Sequence, residues 1–395
     1  MLKSETTHPW IRFEPINFDR LEKLAWVRLG EAQSICNSLR RVPLPPKTQQ
    51  SLQRIALIKG VHGTTSIEGN PLTEEQVADL MDGKLELPAS QQYQGQEIKN
   101  IITAVNKVGN EAVNQEQDTE LTVQTLLDYN AMVLKDIELE EGEVAAEIRK
   151  HEVGVGINRY KAPLAGECPE LVDRYVRWLN EFPISEDPNY RIAETFLKAI
   201  YAHLYLAWIH PFGNGNGRTA RLLEFQILMT GGVPTTAAHL LSNHYSLTRD
   251  LYMKNLARST ETDNGDIHFV RYALEGLVEQ LSEQWNFVQT FQITLAWRAF
   301  IDDRFAGHPS PTFQRRRQLL LDLTGSKPVS RDQLRTVSPE IAKLYAEKQE
   351  KTITRDLNWL LEQELVEQDE AGLITANVDR IFSYLPPSRD ISKNP

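Results

Sequence analysis

Cysteine is nearly absent from this 395-residue chain: Cys36 and Cys168 are the only two, far apart in sequence. That excludes a disulfide framework and leaves a cysteine zinc site without support. Long apolar runs are missing as well, so no membrane span is expected, and the opening MLKSETTHPW has no apolar signal-peptide core. We therefore expect a cytoplasmic protein with no membrane partner. Nor is there an excess of positive charge. Lysine and arginine total 43 against 54 acidic residues, a formal net charge of -11; this argues against broad, nonspecific nucleic-acid binding by the whole chain and leaves room for a local basic patch.

What the chain does have is a composition ordinary for a soluble protein, 41% hydrophobic and 25% charged, and length enough for two or three domains. Its most informative stretch is His210 to Arg221, HPFGNGNGRTAR. Before it, Phe196, Ile200, Leu204 and Trp208 recur at helical spacing. After it, Leu222, Phe225 and Met229 form one apolar stripe and Ala220, Leu223 and Ile227 another, the pattern of a helix buried at the centre of its domain. Pro211 stops the first helix, because it has no N–H to donate and biases His210 away from helical geometry.

Gly213, Gly215 and Gly217 permit positive φ and a close backbone approach. The second helix begins there, with unpaired N–H groups and its positive dipole end. Arg218 and Arg221, three apart, share one side of its first turn. Together these features predict a phosphate cradle. It is not a dinucleotide fingerprint, since a helix and not a strand precedes the glycines, nor a Walker A loop, since no Gly-Lys-Ser/Thr follows. His210 at its edge suits a general base or nucleophile, because an imidazole titrates near neutrality. The alternative is a buried histidine capping a helix end, above a turn that only reverses the chain.

His210 to Arg221 resembles the signature of the Fic family, HPFx[DE]GNGRxxR, at every position but one. Family members mostly transfer AMP from ATP to a hydroxyl on a target protein, and some relatives move other phosphate-containing groups. Carried onto this chain, the resemblance implies that His210 deprotonates the target hydroxyl. Asn216, with the backbone amides of Gly215 and Gly217, would hold the phosphates; Arg218 would steady the loop and phosphates, Thr219 would belong to the same site, and Arg221 would meet the terminal phosphate. ATP and Mg2+ are the implied substrate and metal. Asn214 stands where the family has the acidic magnesium ligand. An amide oxygen can bind a hard cation but brings no negative charge, so weakened metal binding and activity are expected.

Upstream, helices are expected from about Thr48 through Ile58, from Thr73 through Met81 and around Ile98 to Val105. The first ends in Thr64-xxx-Glu68-Gly69, which resembles the inhibitory [ST]xxxE[GN] motif of many Fic proteins. There the glutamate pairs with the second signature arginine, here Arg221, so that a carboxylate fills the cationic slot a phosphate needs. Val153 to Tyr160 is β-prone with turn residues and predicts a short hairpin. The family carries a hairpin flap at this place that aligns the target by strand pairing, so Glu147 to Tyr160 is the expected docking segment for a protein target or for the protein itself. His203, seven residues before His210, is set aside as a metal partner because no third ligand is evident.

Downstream, Leu240 to Leu256 resembles the family's later helix. Thr248-Arg249 stands where many relatives have Asn-Arg, whose asparagine contacts the nucleotide base; Thr248 offers a single hydrogen bond in place of that two-pronged contact. A helical connection from about Leu281 to Phe305 leads to the His308-Pro-Ser-Pro311 break. Beyond it, leucines around Leu320, Leu334 and Leu357 predict three helices, and Gly372 a two-stranded wing; the module resembles a winged helix, a common companion of Fic domains. Arg315, Arg316, Arg317, Lys351 and Arg355 are its candidate DNA contacts, but Glu362, Glu364, Glu367, Asp369 and Glu370 oppose a phosphate backbone. Protein contact or a homodimer is therefore favoured over DNA.

We thus expect a mainly α protein. It would comprise an N-terminal helical region carrying the inhibitory motif (1–115), a Fic-type catalytic core with a small β-hairpin flap (116–285), a helical linker (286–310) and a winged-helix module (311–395). The expected activity is adenylyl transfer from ATP to Ser, Thr or Tyr hydroxyls, autoinhibited by Glu68. Two alternatives stay open: removal of AMP, with Glu68 positioning water, and a catalytically weakened nucleotide-binding regulator acting through the winged helix.

Overall fold

The computed structural model describes residues 2–114, 120–155, 160–262 and 264–384. The chain is mainly helical and divides into two compact units, Met1–Trp285 and Asn286–Pro395, each with its own hydrophobic core. In chain order the first unit holds α1 (Ser4–Thr7), α2 (Lys23–Arg41), α3 (Pro46–Ile67), α4 (Glu74–Met81), α5 (Gln92–Asn114) and α6 (Val123–Val133). A hairpin of β1 (Gly154–Val155) and β2 (Tyr160–Lys161) follows, then α7 (Cys168–Asn180), α8 (Pro188–Ile209), α9 (Asn216–Thr230), α10 (Leu240–Leu247), α11 (Arg249–Arg258) and the start of α12 (Gly265–Phe305).

Local chemistry explains the helix starts. Thr73 with Gln76, and Thr122 with Thr125, close capping boxes at α4 and α6. Proline occupies the first turn of α3 and α8, where its missing N–H costs nothing. As its all-round apolar pattern requires, α9 lies at the centre, packed by α3, α5, α6 and α8. Every residue from Arg218 through Phe225 is buried. The regions expected as 1–115 and 116–285 share one core: Leu29, Val61 and Ile98 belong to the same cluster as Leu204, Leu223 and Leu277.

The α3 helix lies tightly on α10, and two glycines permit it. A Cβ on Gly60 would stand 2.4 Å from His239 Nδ1, and one on Gly63 would stand 2.9 Å from the Ser242 carbonyl oxygen. Near its C-terminal end α3 is tied down by Ser66 and Ser246, whose Oγ atoms are 2.7 Å apart, and by Arg249 Nε, which donates to Ile67 O at 2.8 Å. The single helix expected over 240–256 is two, broken at Thr248. Thr248 Oγ1 donates back to His244 O at 2.8 Å, a local bond that bends helices.

In the second unit the end of α12 contributes Trp297, Ile301 and Phe305 to the core, so the span expected as a linker is structural here. Then come α13 (Pro311–Leu323), α14 (Pro339–Tyr345), α15 (Glu350–Glu362) and the antiparallel pair β3 (Val366–Gln368) and β4 (Ile374–Ala376). Ile374 also bridges Val329. Ser330 opens only a short 3-10 turn, Arg331–Thr336; the full helix α14 starts after Ser338, whose Oγ accepts from Ile341 N at 3.0 Å.

Arg315 and Arg316 converge on buried Asp356 at 3.2 and 2.9 Å, Tyr345 Oη donates to the same carboxylate at 2.9 Å, and Arg317 pairs with Asp302. Three of the five candidate DNA contacts are thus tied within the unit.

Candidate functional site

The α8 helix ends at His210, which is held left-handed with φ 47° and ψ 58°. That conformation is costly for a non-glycine residue and persists only where its surroundings over-determine it. Here they do. His210 N donates to Leu206 O at 2.9 Å, and buried Arg149 donates from Nε to His210 O at 2.8 Å and from Nη1 to His151 O at 2.9 Å. Arg149 N donates to Pro211 O at 2.8 Å, and Ile148 bridges Phe212. The chain entering the hairpin is therefore paired with the loop that leaves His210. From the other strand, Tyr160 Oη donates to Trp208 O at 2.8 Å. Residues 156–159 of the expected flap lie outside the described residues.

Within the loop, Asn216 acts as a clasp. Its Oδ1 accepts from Phe212 N at 3.0 Å and its Nδ2 donates to Phe212 O at 2.8 Å. Both ends of the side chain are engaged, so what α9 offers an anion at this position is backbone N–H. Gly215 is left-handed at φ 77°, and a Cβ there would lie 3.1 Å from Asn130 Nδ2 and from Leu134 Cγ; glycine is needed for both reasons.

Two expected site residues have their hydroxyls engaged within the protein. Thr219 is fully buried, with its N–H bonded to Gly215 O at 2.9 Å and its Oγ1 accepting from Asn130 Nδ2 at 3.4 Å. It braces the loop from behind and presents no group to a phosphate. The Thr248 hydroxyl is taken up by His244 O and by Tyr272 Oη, the latter at 2.6 Å.

The two arginines are each paired with a carboxylate. Arg221, 2% exposed as a residue, donates Nη2 to Glu68 Oε1 at 2.6 Å and to Thr64 O at 3.0 Å, and Nε to Thr64 Oγ1 at 3.2 Å. Both ends of the Thr64-xxx-Glu68 stretch thus reach one guanidinium. Gly217 lies directly beneath: a Cβ there would stand 2.3 Å from Glu68 Oε1, so the carboxylate sits over the first turn of α9. Arg218 donates Nη1 to Glu97 Oε1 at 2.6 Å and Nη2 to Asn214 Oδ1 at 2.9 Å. Asn214 Nδ2 in turn donates to Glu143 Oε2 at 3.0 Å. His203 is buried with Nε2 2.9 Å from Tyr252 Oη and Nδ1 3.6 Å from Glu224.

Electrostatics follow this pairing. Burial of Glu68 opposes ionisation, but the charge and hydrogen bond of Arg221, with Arg218 and His210 adding, hold its carboxyl below the usual value. Burial pushes His210 down to about 4, against the Ala207 carbonyl and Glu68, which pull upward. The imidazole is therefore neutral at neutral pH, as a base must be. Glu97 is raised by burial, with Arg218 and Asn70 opposing.

The sequence singled out Glu68, His210, Arg218 and Arg221, and Arg149 only as part of the Glu147 to Tyr160 segment, but not Glu97, Asn130 or Glu143. Single charged or amide residues on helices and loops carry no pattern that singles them out.

Among the described residues no cluster of three or more His, Cys, Asp or Glu side chains is placed to bind a metal. A magnesium held partly by nucleotide phosphates does not need one, since it is usually bound by one or two carboxylates and keeps several waters. Asn214 Oδ1 is held by Arg218, but the Glu143 carboxylate beside the loop supplies a hard oxygen donor, and that donor chemistry fits magnesium.

Residues 120–228 match the Fic/DOC family. The chain is 30% identical over 209 residues to the protein adenylyltransferase Fic of Drosophila persimilis, covering 52% of this chain and 38% of that protein. Over 181 residues it is 30% identical to the protein of the same name from Drosophila melanogaster, covering 45% and 34%. The chain thus spans less than two fifths of either relative. In fold it is similar to a Fic family protein from Desulfovibrio desulfuricans, with TM-score 0.55 and 19% identity over 95% of this chain and all of the other. Fic-1 from C. elegans gives 0.53 and 21% over 68% and 74%.

Proposed function

We propose that the protein is an adenylyltransferase that moves AMP from ATP to a Ser, Thr or Tyr hydroxyl of a protein, or of itself, and that Glu68 inhibits it. One observation carries this reading: a carboxylate seated on Arg221 over Gly217, where the helix N-terminus and a buried cation together suit an anion. The hydroxyl oxygen attacks the α-phosphorus of ATP, the bond from that phosphorus to the bridging oxygen breaks, pyrophosphate leaves, and the hydroxyl proton passes to the neutral imidazole of His210. Backbone N–H groups of Gly215, Asn216 and Gly217 stabilise charge on the transferring phosphoryl group. Arg221 receives the terminal phosphate once Glu68 has left it. Magnesium, when bound, neutralises phosphate charge.

The target docks along the hairpin segment, Glu147 to Tyr160. An apolar depression lined by Leu127, Ala146, Ile148, Ala165 and Pro169 lies against that segment and suits an apolar target side chain. The second unit, read as a winged helix, serves protein contact or homodimer formation in preference to DNA, because Arg315, Arg316 and Arg317 are spent on Asp356 and Asp302.

The test is intact mass and peptide mapping after ATP and magnesium treatment of the wild type, Glu68→Gly, and Glu68→Gly with His210→Ala. Gain of AMP by the single variant and none by the double variant is the expected result. Equal labelling of the two would remove His210 from the reaction.

A further inference from the structure

Asn214 is the one position where the signature loses its negative charge, and the fold places a carboxylate beside it. Glu143 lies between α6 and the hairpin, far from the signature in sequence. Its Oε2 accepts from Asn214 Nδ2 at 3.0 Å and from Glu140 N at 3.3 Å, while Oε1 makes no hydrogen bond among the described residues. Its side chain lies against Gly213, where a Cβ would meet Glu143 Cγ at 3.2 Å. The carboxylate is half-buried, and so reachable by a hydrated cation.

Counting charges around the loop shows what Glu143 adds. Arg218 is cancelled by Glu97 at 2.6 Å, and Arg221 is matched by Glu68 or by the phosphate that displaces it. On the Asn214 side Glu143 alone is left with no cationic partner within the loop. An acidic residue at 214 beside Glu143 would set two carboxylates about 3 Å apart, which is unfavourable for both. Asparagine at 214 with glutamate at 143 keeps one negative charge at the site and links the two residues by a hydrogen bond.

We infer that Glu143 supplies the negative charge for the divalent cation that accompanies the nucleotide, while Asn214 Oδ1 stays with Arg218 and its amide Nδ2 orients the Glu143 carboxylate. This rests on the reading of the loop as a nucleotide site. The acidic ligand has moved from the signature to a neighbouring segment, so the asparagine does not mark a dead enzyme.

Binding of ADP, measured by calorimetry on the full chain carrying Glu68→Gly, tests this without turnover. Each variant is titrated once with MnCl2 present and once in EDTA, and the ratio of the two affinities reports the metal. Glu143→Gln keeps an acceptor for Asn214 Nδ2, so a merely structural partner would survive the change. We expect Glu143→Gln to cut the manganese-dependent ratio roughly tenfold or more and to leave affinity in EDTA unchanged. Adding Asn214→Asp to it should restore the ratio, which also shows that the variant is folded. An unchanged ratio in Glu143→Gln overturns the inference while the nucleotide site stands. Absence of ADP binding by every variant, with metal or without, overturns the nucleotide reading and this inference with it.

Discussion

Arg221 is buried, so its guanidinium must be satisfied in every state of the protein, by Glu68 and Thr64 as here or by an anion that takes the place of Glu68. On the proposed function, ATP and Glu68 therefore compete. A hydrogen bond to a charged group contributes about 1.5–3 kcal/mol, so Glu68→Gly should tighten ATP binding roughly ten- to a hundredfold by calorimetry; unchanged affinity would mean the two do not share the slot. Glu97 has the opposite task, since nothing replaces it. Its side chain and that of Arg218 are 6% and 5% exposed, and Glu97→Ala leaves a buried cation unpaired, with an expected loss of about 3–5 kcal/mol in chemical denaturation. Of these residues, Glu68, His210 and Arg221 were legible in the sequence because each sits in a spaced pattern. Glu97 was not: on a 3.6-residue period a buried carboxylate in α5 reads like any solvated charge, and only its approach to Arg218 from another helix gives it meaning. Asn216 was legible as important, but the glycine-rich spacing does not say that its side-chain amide closes on Phe212.

At the scale of elements, the proposed inhibitory residue, Glu68, caps a helix that cannot easily withdraw. Backbone contact at Gly63, the bond from Arg249 to Ile67 O and the Ser66–Ser246 pair all hold the end of α3 against α10 and α11. Relief of inhibition is thus expected at Glu68 itself, by a change in its side chain or in the turn at left-handed Gly69 (φ 96°), and not by detachment of α3. Gly63→Ala should force the two helices apart, costing about 1–3 kcal/mol and raising basal ATP binding. Gly30→Ala, in α2 with nothing within 4 Å of its Cβ, is the control and should stabilise by up to about 1 kcal/mol. If both glycines behave alike in thermal melts, close packing is not what α3 depends on. The long periodic helices α5, α8 and α9 were readable from their apolar faces. Less readable were the break at Thr248, which depends on a side-chain bond to His244 O, and the continuity of α12, whose first and last turns bury residues in two different cores.

Across the whole molecule, two separate hydrophobic cores imply two unfolding transitions, since a single all-or-none melt requires one cooperative core. The first unit carries the pH dependence. Burial pushes both His210 and His239 down to about 4, so between about pH 4 and 6.5 the unfolded chain binds protons that the folded one refuses. Stability of that unit should therefore rise with pH across this window, by up to about 1.4 kcal/mol per pH unit for each histidine, and level off above it. The second unit is held by a different device, the convergence of Arg315, Arg316 and Tyr345 on Asp356. Asp356→Asn leaves two half-buried guanidinium groups facing a neutral amide, and breaking such a pair costs about 3–5 kcal/mol. Calorimetry of this variant should show one transition moved down and the other, the one that tracks pH, left in place. Movement of both together would mean that α12 couples the two cores into one cooperative structure.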